Sequence, residues 1–173
     1  LGAGHARPEY ERNGIPFDPP AIRVARLNES VQVLRRLLDG EAVTFQGNYY
    51  GLEGETCYPK PAQARIPLLV GGGGNRTLAV GAQWADTVGF TGLGPTLPDG
   101  NRHELTGFAP DAVTRQVQWV REAAGDRVEE LELQALVQAV VRTDNVQEGA
   151  ERLLSWHPGL TTEDLLATPY LLI

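Results

Sequence analysis

A short apolar run, Ile66-Pro-Leu-Leu-Val70, stops in four consecutive glycines, Gly71-Gly72-Gly73-Gly74. Asn75 and Arg76 follow, and then a small-residue segment, 78–85, with the pattern of a helix. The order predicts a strand, a glycine turn and a helix start. Glycine leaves backbone N–H groups uncovered and admits positive φ. The helix start adds its own free N–H groups and the positive end of the helix dipole. Together these make a seat for a phosphate, to which Arg76 could add a bidentate charged contact. The same turn also serves as a plain strand-to-helix connection without a ligand, with Arg76 as an exposed surface side chain.

Similar units recur on both sides. Gly2-Ala-Gly4 reads as the end of a strand leading into a polar loop over 5–17. Asp18-Pro-Pro20 predicts an N-cap with proline in the first helical turn. Leu27, Val31, Leu34 and Leu38 then recur at helical spacing until Gly40. Residues 42–52, with Val43, Phe45, Tyr49 and Tyr50 around Gln46-Gly-Asn48, pattern as a β-hairpin. Beyond the glycines, 86–90 reads as a strand running into Thr91. Residues 93–109 form a Gly- and Pro-rich loop of a length often used as a lid. Pro110 opens a helix with Val113, Val117, Val120 and Ala124 on one face, and 131–141 alternates as a strand. Asn145-x-x-Glu148 is a capping box for a helix ending near Trp156. Thr161 opens a shorter helix before a last apolar run. Alternation of this kind predicts an α/β fold with a parallel sheet and helices outside it, as one domain over 1–173.

Charge excludes some functions. The net charge is −7, and Lys60 is the only lysine among scattered arginines. No basic stripe offers a nucleic-acid surface, no apolar run reaches the roughly 18 residues of a membrane span, and no signal peptide is visible. A cytoplasmic protein without nucleic-acid or membrane partners is the default. Cys57 is single, so no disulfide framework forms within the chain. Both ends read as cut: the chain has no Met, Leu1–Gly4 reads as a strand already under way, and Pro169-Tyr-Leu-Leu-Ile173 stops inside an apolar run.

Familiar catalytic signatures are missing. Neither a P-loop nor the glycine spacing of a dinucleotide fold occurs, and no nucleophile elbow or zinc-protease motif is present. His5, His103 and His157 have no ligand spacing, so no metal is expected. Chemistry carried by an organic cofactor fits better. Glu9 and Glu29 read as exposed carboxylates pairing with Arg12 or other arginines. Tyr49 and Tyr50 read as hairpin packing, and Trp84, Trp119 and Trp156 as core. His103 reads as a solvated loop side chain.

An ordered set of short matches resembles a family. Gly2-Ala-Gly-His-Ala-Arg-Pro-Glu9-Tyr10, Gly14-Ile-Pro-Phe17, Arg23, Arg26-Leu27-x-Glu29 and Leu37-x-x-Gly40 look like the central part of luciferase-like flavin and deazaflavin oxidoreductases. Phe45-x-Gly47-x-x-Tyr50, Pro67-Leu-Leu-Val-Gly-Gly72 and Trp84-Ala-Asp86 continue the match at similar spacing. Gln134-Ala-Leu-Val-Gln138 and residues 165–173 resemble the coenzyme F420-dependent branch more than the FMN branch.

The resemblance implies a TIM (β/α)8 barrel, here a partial barrel starting at the end of the fourth strand. A full barrel takes about 250 residues. It also implies hydride transfer between F420 and a small organic substrate held under the 93–109 loop, in a protein that forms homodimers. Gly71, Gly72, Gly73, Gly74 and Asn75 fall on the loop that in relatives holds the cofactor phosphate, and Thr91 on a position whose hydroxyl reaches it. His5 falls where some relatives carry a proton-donating carboxylic acid. A histidine, with an ordinary pKa of about 6.5, could do that work or could line the pocket without titrating. Two alternatives stay open: an FMN-dependent monooxygenase on the same barrel, and a non-catalytic barrel fragment that binds or assembles.

Overall fold

The computed structural model describes residues 1–100 and 102–173. The chain opens with a short helix α1 (Arg7–Arg12) and a long one, α2 (Pro20–Leu38). An antiparallel hairpin follows, β1 (Val43–Gln46) and β2 (Gly51–Glu55). Then come β3 (Leu69–Gly72), α3 (Asn75–Trp84), β4 (Thr87–Phe90) and α4 (Pro110–Ala124), which continues as a 3₁₀ turn over Gly125–Glu130. β5 (Glu132–Ala135), β6 (Ala139–Val140), α5 (Val146–Trp156), α6 (Thr162–Ala167) and β7 (Leu171–Leu172) complete it.

The parallel strands β3, β4 and β5 lie side by side, with Gly71 opposite Gly89 and Gly89 opposite Gln134. Leu1 extends this sheet on the β3 side. Its amine donates to the Leu69 carbonyl at 2.7 Å, and its carbonyl accepts from the Gly71 N–H at 2.9 Å. On the other side β6 pairs in parallel with β7. The N–H of Leu136 still donates to Phe90 O at 2.9 Å, while that of Gln138 has already turned to Tyr170 O at 2.7 Å. The result is an open arc of parallel strands and no closed barrel.

Residues 131–141 therefore do not form the single strand expected. The segment swings from one neighbour to the next, and Leu133 and Val137 stay about two-fifths exposed at 40% and 41%. Other expectations also shift. Residues 7–12 are helical where a loop was read. Pro19, not Asp18, is the N-cap residue of α2, because a residue that precedes a proline is held out of the helical region and Pro19 precedes Pro20; the Asp18 side chain instead pairs with Arg26 at 2.7 Å. Trp84 and Trp156 are exposed rather than core, at 36% and 54%. Glu29 is buried and makes no arginine pair among the described residues. Its carboxylate accepts the N–H groups of Asn48, Tyr49 and Tyr50 at 2.8, 2.8 and 3.2 Å, fastening the hairpin turn to α2. Glu9 forms no ion pair among the described residues.

Two apolar clusters fill the space between sheet and helices. Leu78, Ala82, Val88, Phe90, Val120 and Tyr170 belong to the larger. Leu27, Val31, Leu68, Val70 and Val80 belong to the smaller, which seats α2. The strands' starting edge carries a dense polar lattice. Asp86 accepts from Arg65 Nε at 2.8 Å, from the Leu68 N–H at 2.7 Å and from Arg35 at 3.3 Å. Arg35 also grips Asp39 at 2.6 Å. Arg127 donates to the carbonyls of Ala82 and Ala85 at 2.6 and 2.7 Å, satisfying the end of α3. In parallel barrels the starting edge is the stability face, and the C-terminal edge carries function.

Candidate functional site

At the C-terminal edge the glycine turn closes β3. No glycine from Gly71 to Gly74 has positive φ, so the conformational freedom expected of them is unused. Close approach is what requires at least two of them. A Cβ on Gly73 would drive into the Leu93 carbonyl, and one on Gly72 would meet Thr77 Cγ2 at 2.7 Å. Gly74 faces open space and is the N-cap residue of α3, with no side chain to cap it.

The amides divide. The Gly71 N–H is already donated to Leu1, which removes it from the expected anion seat, and Gly72 ends the ladder opposite Phe90. Among the described residues no acceptor meets the N–H of Gly73, Gly74, Asn75, Arg76 or Thr77; the first bond of the helix runs from Leu78 to Gly74 O at 3.0 Å. Those of Gly74 to Thr77 are the four orphan donors of a helix start, at its positive end, and Gly73 precedes them. Arg76 is exposed, with no ion pair among the described residues.

Thr91 follows β4, so the parallel register brings it to the same edge. Its hydroxyl accepts weakly from the Leu93 N–H at 3.4 Å and lies 3.7 Å from where a Cβ on Gly73 would stand. The glycine turn and Thr91, 15 or more positions apart in sequence, are thus one site.

His5 reaches the same edge from the segment after Leu1, and there it meets His103, which is no freely solvated loop side chain. His103 Nε2 stands 2.9 Å from His5 Nδ1, across 98 positions of chain, and His103 Nδ1 lies 3.1 Å from the Gly94 carbonyl. A carbonyl only accepts, so neutral His103 carries its proton on Nδ1. Its Nε2 then accepts from His5 Nδ1–H, which leaves His5 Nε2 as the open acceptor of the pair. Partial burial lowers the His5 pKa below its usual value, His103 and Arg23 push the same way, and Glu9 opposes them. The pair also ties the 93–109 loop to the start of the chain, beside a backbone bond from Arg7 N–H to Gly100 O at 2.8 Å. Only the recurrence of histidine in the loop hinted at this; sequence separation hid the contact. No cluster of three or more potential metal ligands occurs among the described residues.

The family description "luciferase-like monooxygenase" matches residues 1–161. The chain belongs to that family. Among its relatives, an F420-dependent glucose-6-phosphate dehydrogenase of Nakamurella multipartita is 31% identical over 137 residues, covering 79% of this chain and 37% of that protein. The solved F420-dependent secondary alcohol dehydrogenase with an F420–acetone adduct superposes with a TM-score of 0.62 at 23% identity, over 90% of this chain and 43% of that one. A riboflavin lyase solved with modified FMN gives 0.61 at 15% identity, over 94% and 38%. This luciferase-like chain thus has the barrel fold of those structures in part, spanning about two-fifths of their length. No helix among the described residues is long and apolar enough to cross a membrane.

Proposed function

We propose that the chain is the cofactor-phosphate-binding part of an F420-dependent oxidoreductase, which moves a hydride between the deazaflavin and a small organic substrate taken up beneath the 93–109 loop. The observation that carries this reading is the run of N–H groups from Gly73 to Thr77, at the end of β3, that no acceptor among the described residues meets. Four donors at a helix start and the Gly73 N–H before them suit a phosphate, and the Thr91 hydroxyl adds a sixth polar contact. A side chain on Gly73 is excluded by Leu93, so the turn stays bare there. The likeness to an F420-dependent dehydrogenase at 31% identity favours the deazaflavin.

The deazaflavin ring supplies two-electron hydride chemistry when bound; the chain's own residues bind, orient and manage a proton. Gly73, Gly74, Asn75 and Arg76 hold the phosphate through their amides, and the Arg76 guanidinium offsets its charge. His5 takes up or returns a proton at Nε2, with His103 fixing its tautomer. Association into homodimers belongs to the same reading, and light scattering on the complete protein checks it.

FMN is the second reading, favoured by the likeness to a structure that holds modified FMN, because the same amides suit either phosphate. Titrating the complete protein with F420 and with FMN, followed by fluorescence, separates the two. Binding of F420 at least a hundredfold tighter than FMN supports the first reading, and the reverse order supports the second. Binding of neither would remove the phosphate seat and leave the non-catalytic module.

A further inference from the structure

The helix stripe that packs α4 on the sheet contains a polar residue where an apolar one would fill the space. Gln116 is 3% exposed, in line with the apolar positions 113, 117 and 120. An amide at such depth is destabilising unless both of its ends are bonded. Both are. Its Nε2 donates to the Gly73 carbonyl at 3.1 Å, and its Oε1 accepts from the Tyr170 hydroxyl at 3.3 Å. Tyr170 is fully buried. Burial pushes its pKa up to about 12, against the opposing Gly92 backbone, so its O–H remains a donor across the working pH range. That donor fixes which way the Gln116 amide points: oxygen toward Tyr170, nitrogen toward the glycine turn.

We propose that Gln116, oriented by Tyr170, is a positioning residue for the anion seat: it holds the Gly73 carbonyl inward and thereby presents the Gly74 N–H outward to a phosphate. The step from one to the other is peptide geometry. In a planar trans peptide the carbonyl and the following N–H point in opposite directions, and the Gly73–Gly74 bond is trans. Gripping the carbonyl from the α4 side therefore aims the Gly74 N–H away from α4, where no acceptor among the described residues meets it. Leu93 O already touches the space beside Gly73 Cα, which leaves the turn little room to shift there. Glycine peptides flip easily for want of a Cβ. A four-glycine turn needs such a clamp to keep its donors convergent, and pre-aimed donors bind an anion better than mobile ones.

The inference rests on the phosphate reading, and its test separates the two. F420 is titrated into the complete protein by fluorescence, with Gln116→Leu, Gln116→Glu and Tyr170→Phe alongside. Gln116→Leu should bind at least tenfold more weakly and Tyr170→Phe about threefold. Gln116→Glu carries the distinguishing readout. Ionised, it repels the Gly73 carbonyl and the anion, so binding at pH 8 should fall at least tenfold relative to the unchanged protein. Burial at this position raises the carboxyl's pKa above its ordinary value; once protonated, its O–H replaces the lost donor, so the ratio should return to within threefold as the pH is lowered toward 5. A side chain that merely fills the core would give no such pH-dependent rescue. If Gln116→Leu does not fold, the other two variants decide. A second readout needs no cofactor: inorganic phosphate should shift the Gly74 amide resonance in the unchanged protein and not in Gln116→Glu at pH 8. Wild-type affinity in all variants would overturn the inference and leave the phosphate reading standing. Failure of the unchanged protein to bind F420, FMN or phosphate would overturn both.

Discussion

The two edges of the parallel sheet are built on opposite plans. At the starting edge, Asp86 is surrounded by Arg35, Arg65 and the Leu68 amide, with Arg127 closing the end of α3. A cleft of about 320 Å³ lies there, lined by Arg35, Arg65, Asp86, Arg127 and Glu130, and its charges already have partners. At the finishing edge, five consecutive amides have none among the described residues, and the polar groups behind them are spent on holding the turn still. A hollow with satisfied charges is a joint, whereas a bare row of donors is a seat. Polarity alone does not distinguish them; satisfaction does.

Substitutions should therefore fail in opposite ways at the two edges. The largest stability effect is expected for Asp86→Ala. It leaves Arg35, whose side chain is only 8% exposed, with one carboxylate fewer, and leaves the Leu68 N–H without its acceptor. Loss of a partner in a mostly buried pair predicts destabilisation of about 2–4 kcal/mol, measured by urea unfolding, with F420 affinity of the folded fraction unchanged. Weakened affinity in a fully folded sample would break the division between edges. Gly74→Asp should do the reverse. Its Cβ meets nothing within 4 Å, and aspartate is a favoured N-cap, so stability should change by only a few tenths of a kcal/mol. The new carboxylate takes up the helix-start amides and repels an anion, and F420 should bind at least tenfold more weakly, about 1.4 kcal/mol. Unaltered affinity would place the phosphate elsewhere. Gly73→Asp is the poorer test, since it collides with Leu93 O whatever the ligand does.

What the sequence made legible follows interaction range. The βα order, the glycine turn, Pro110 opening α4 and Thr161 opening α6 are local patterns, and each emerged where it was read; the capping box expected at Asn145–Glu148 is half made, Asn145 accepting the Gln147 and Glu148 N–H groups, and the complete box is at Thr161–Asp164. Gly71–Gly74, Asn75, Arg76 and Thr91 gather at one edge because parallel register carries strand ends there, a consequence of topology that the alternation already implied. Glu29 was misread because its partners are backbone N–H groups 19 to 21 positions away, which leave no trace in residue type. The His5–His103 contact and the Gln116 clamp were missed for the same reason: each joins elements through loops whose path no spacing rule predicts. Positive φ was expected at the glycines from composition, but crowding by Leu93 and Thr77 is what excludes side chains there.

Acidity should sharpen the contrast. Burial alone would raise the Asp86 pKa, but the Leu68 N–H and the Arg65 and Arg35 guanidiniums outweigh it and leave the carboxyl below its ordinary 3.8. The unfolded chain then binds the proton more readily. Asp86's contribution is present above about pH 4 and is lost as pH falls through its lowered folded value. Unfolding midpoints between pH 2 and pH 5 should fall less steeply in Asp86→Asn than in the unchanged protein, and parallel slopes would remove Asp86 from the lattice.

At the other edge the smallest effect is expected, because His5 is only partly buried. Its pKa is also lowered, so its neutral form is the one the fold favours. The contribution is complete above the ordinary 6.5 and diminishes as pH drops from there toward the folded value, a window well above that of Asp86. Replacing His103 with Asn removes the neighbouring imidazole, one of the groups depressing His5, while keeping a side chain able to bond Gly94 O. The His5 titration followed by NMR should then move upward, while still lying below the ordinary value because burial, the larger cause, remains. The 93–109 loop should meanwhile exchange its amides faster near pH 6, while the Asp86 lattice does not respond. A His5 titration that stays in place would mean that the two rings do not share a proton, and His103 would then be a tether for the loop with no part in His5's chemistry.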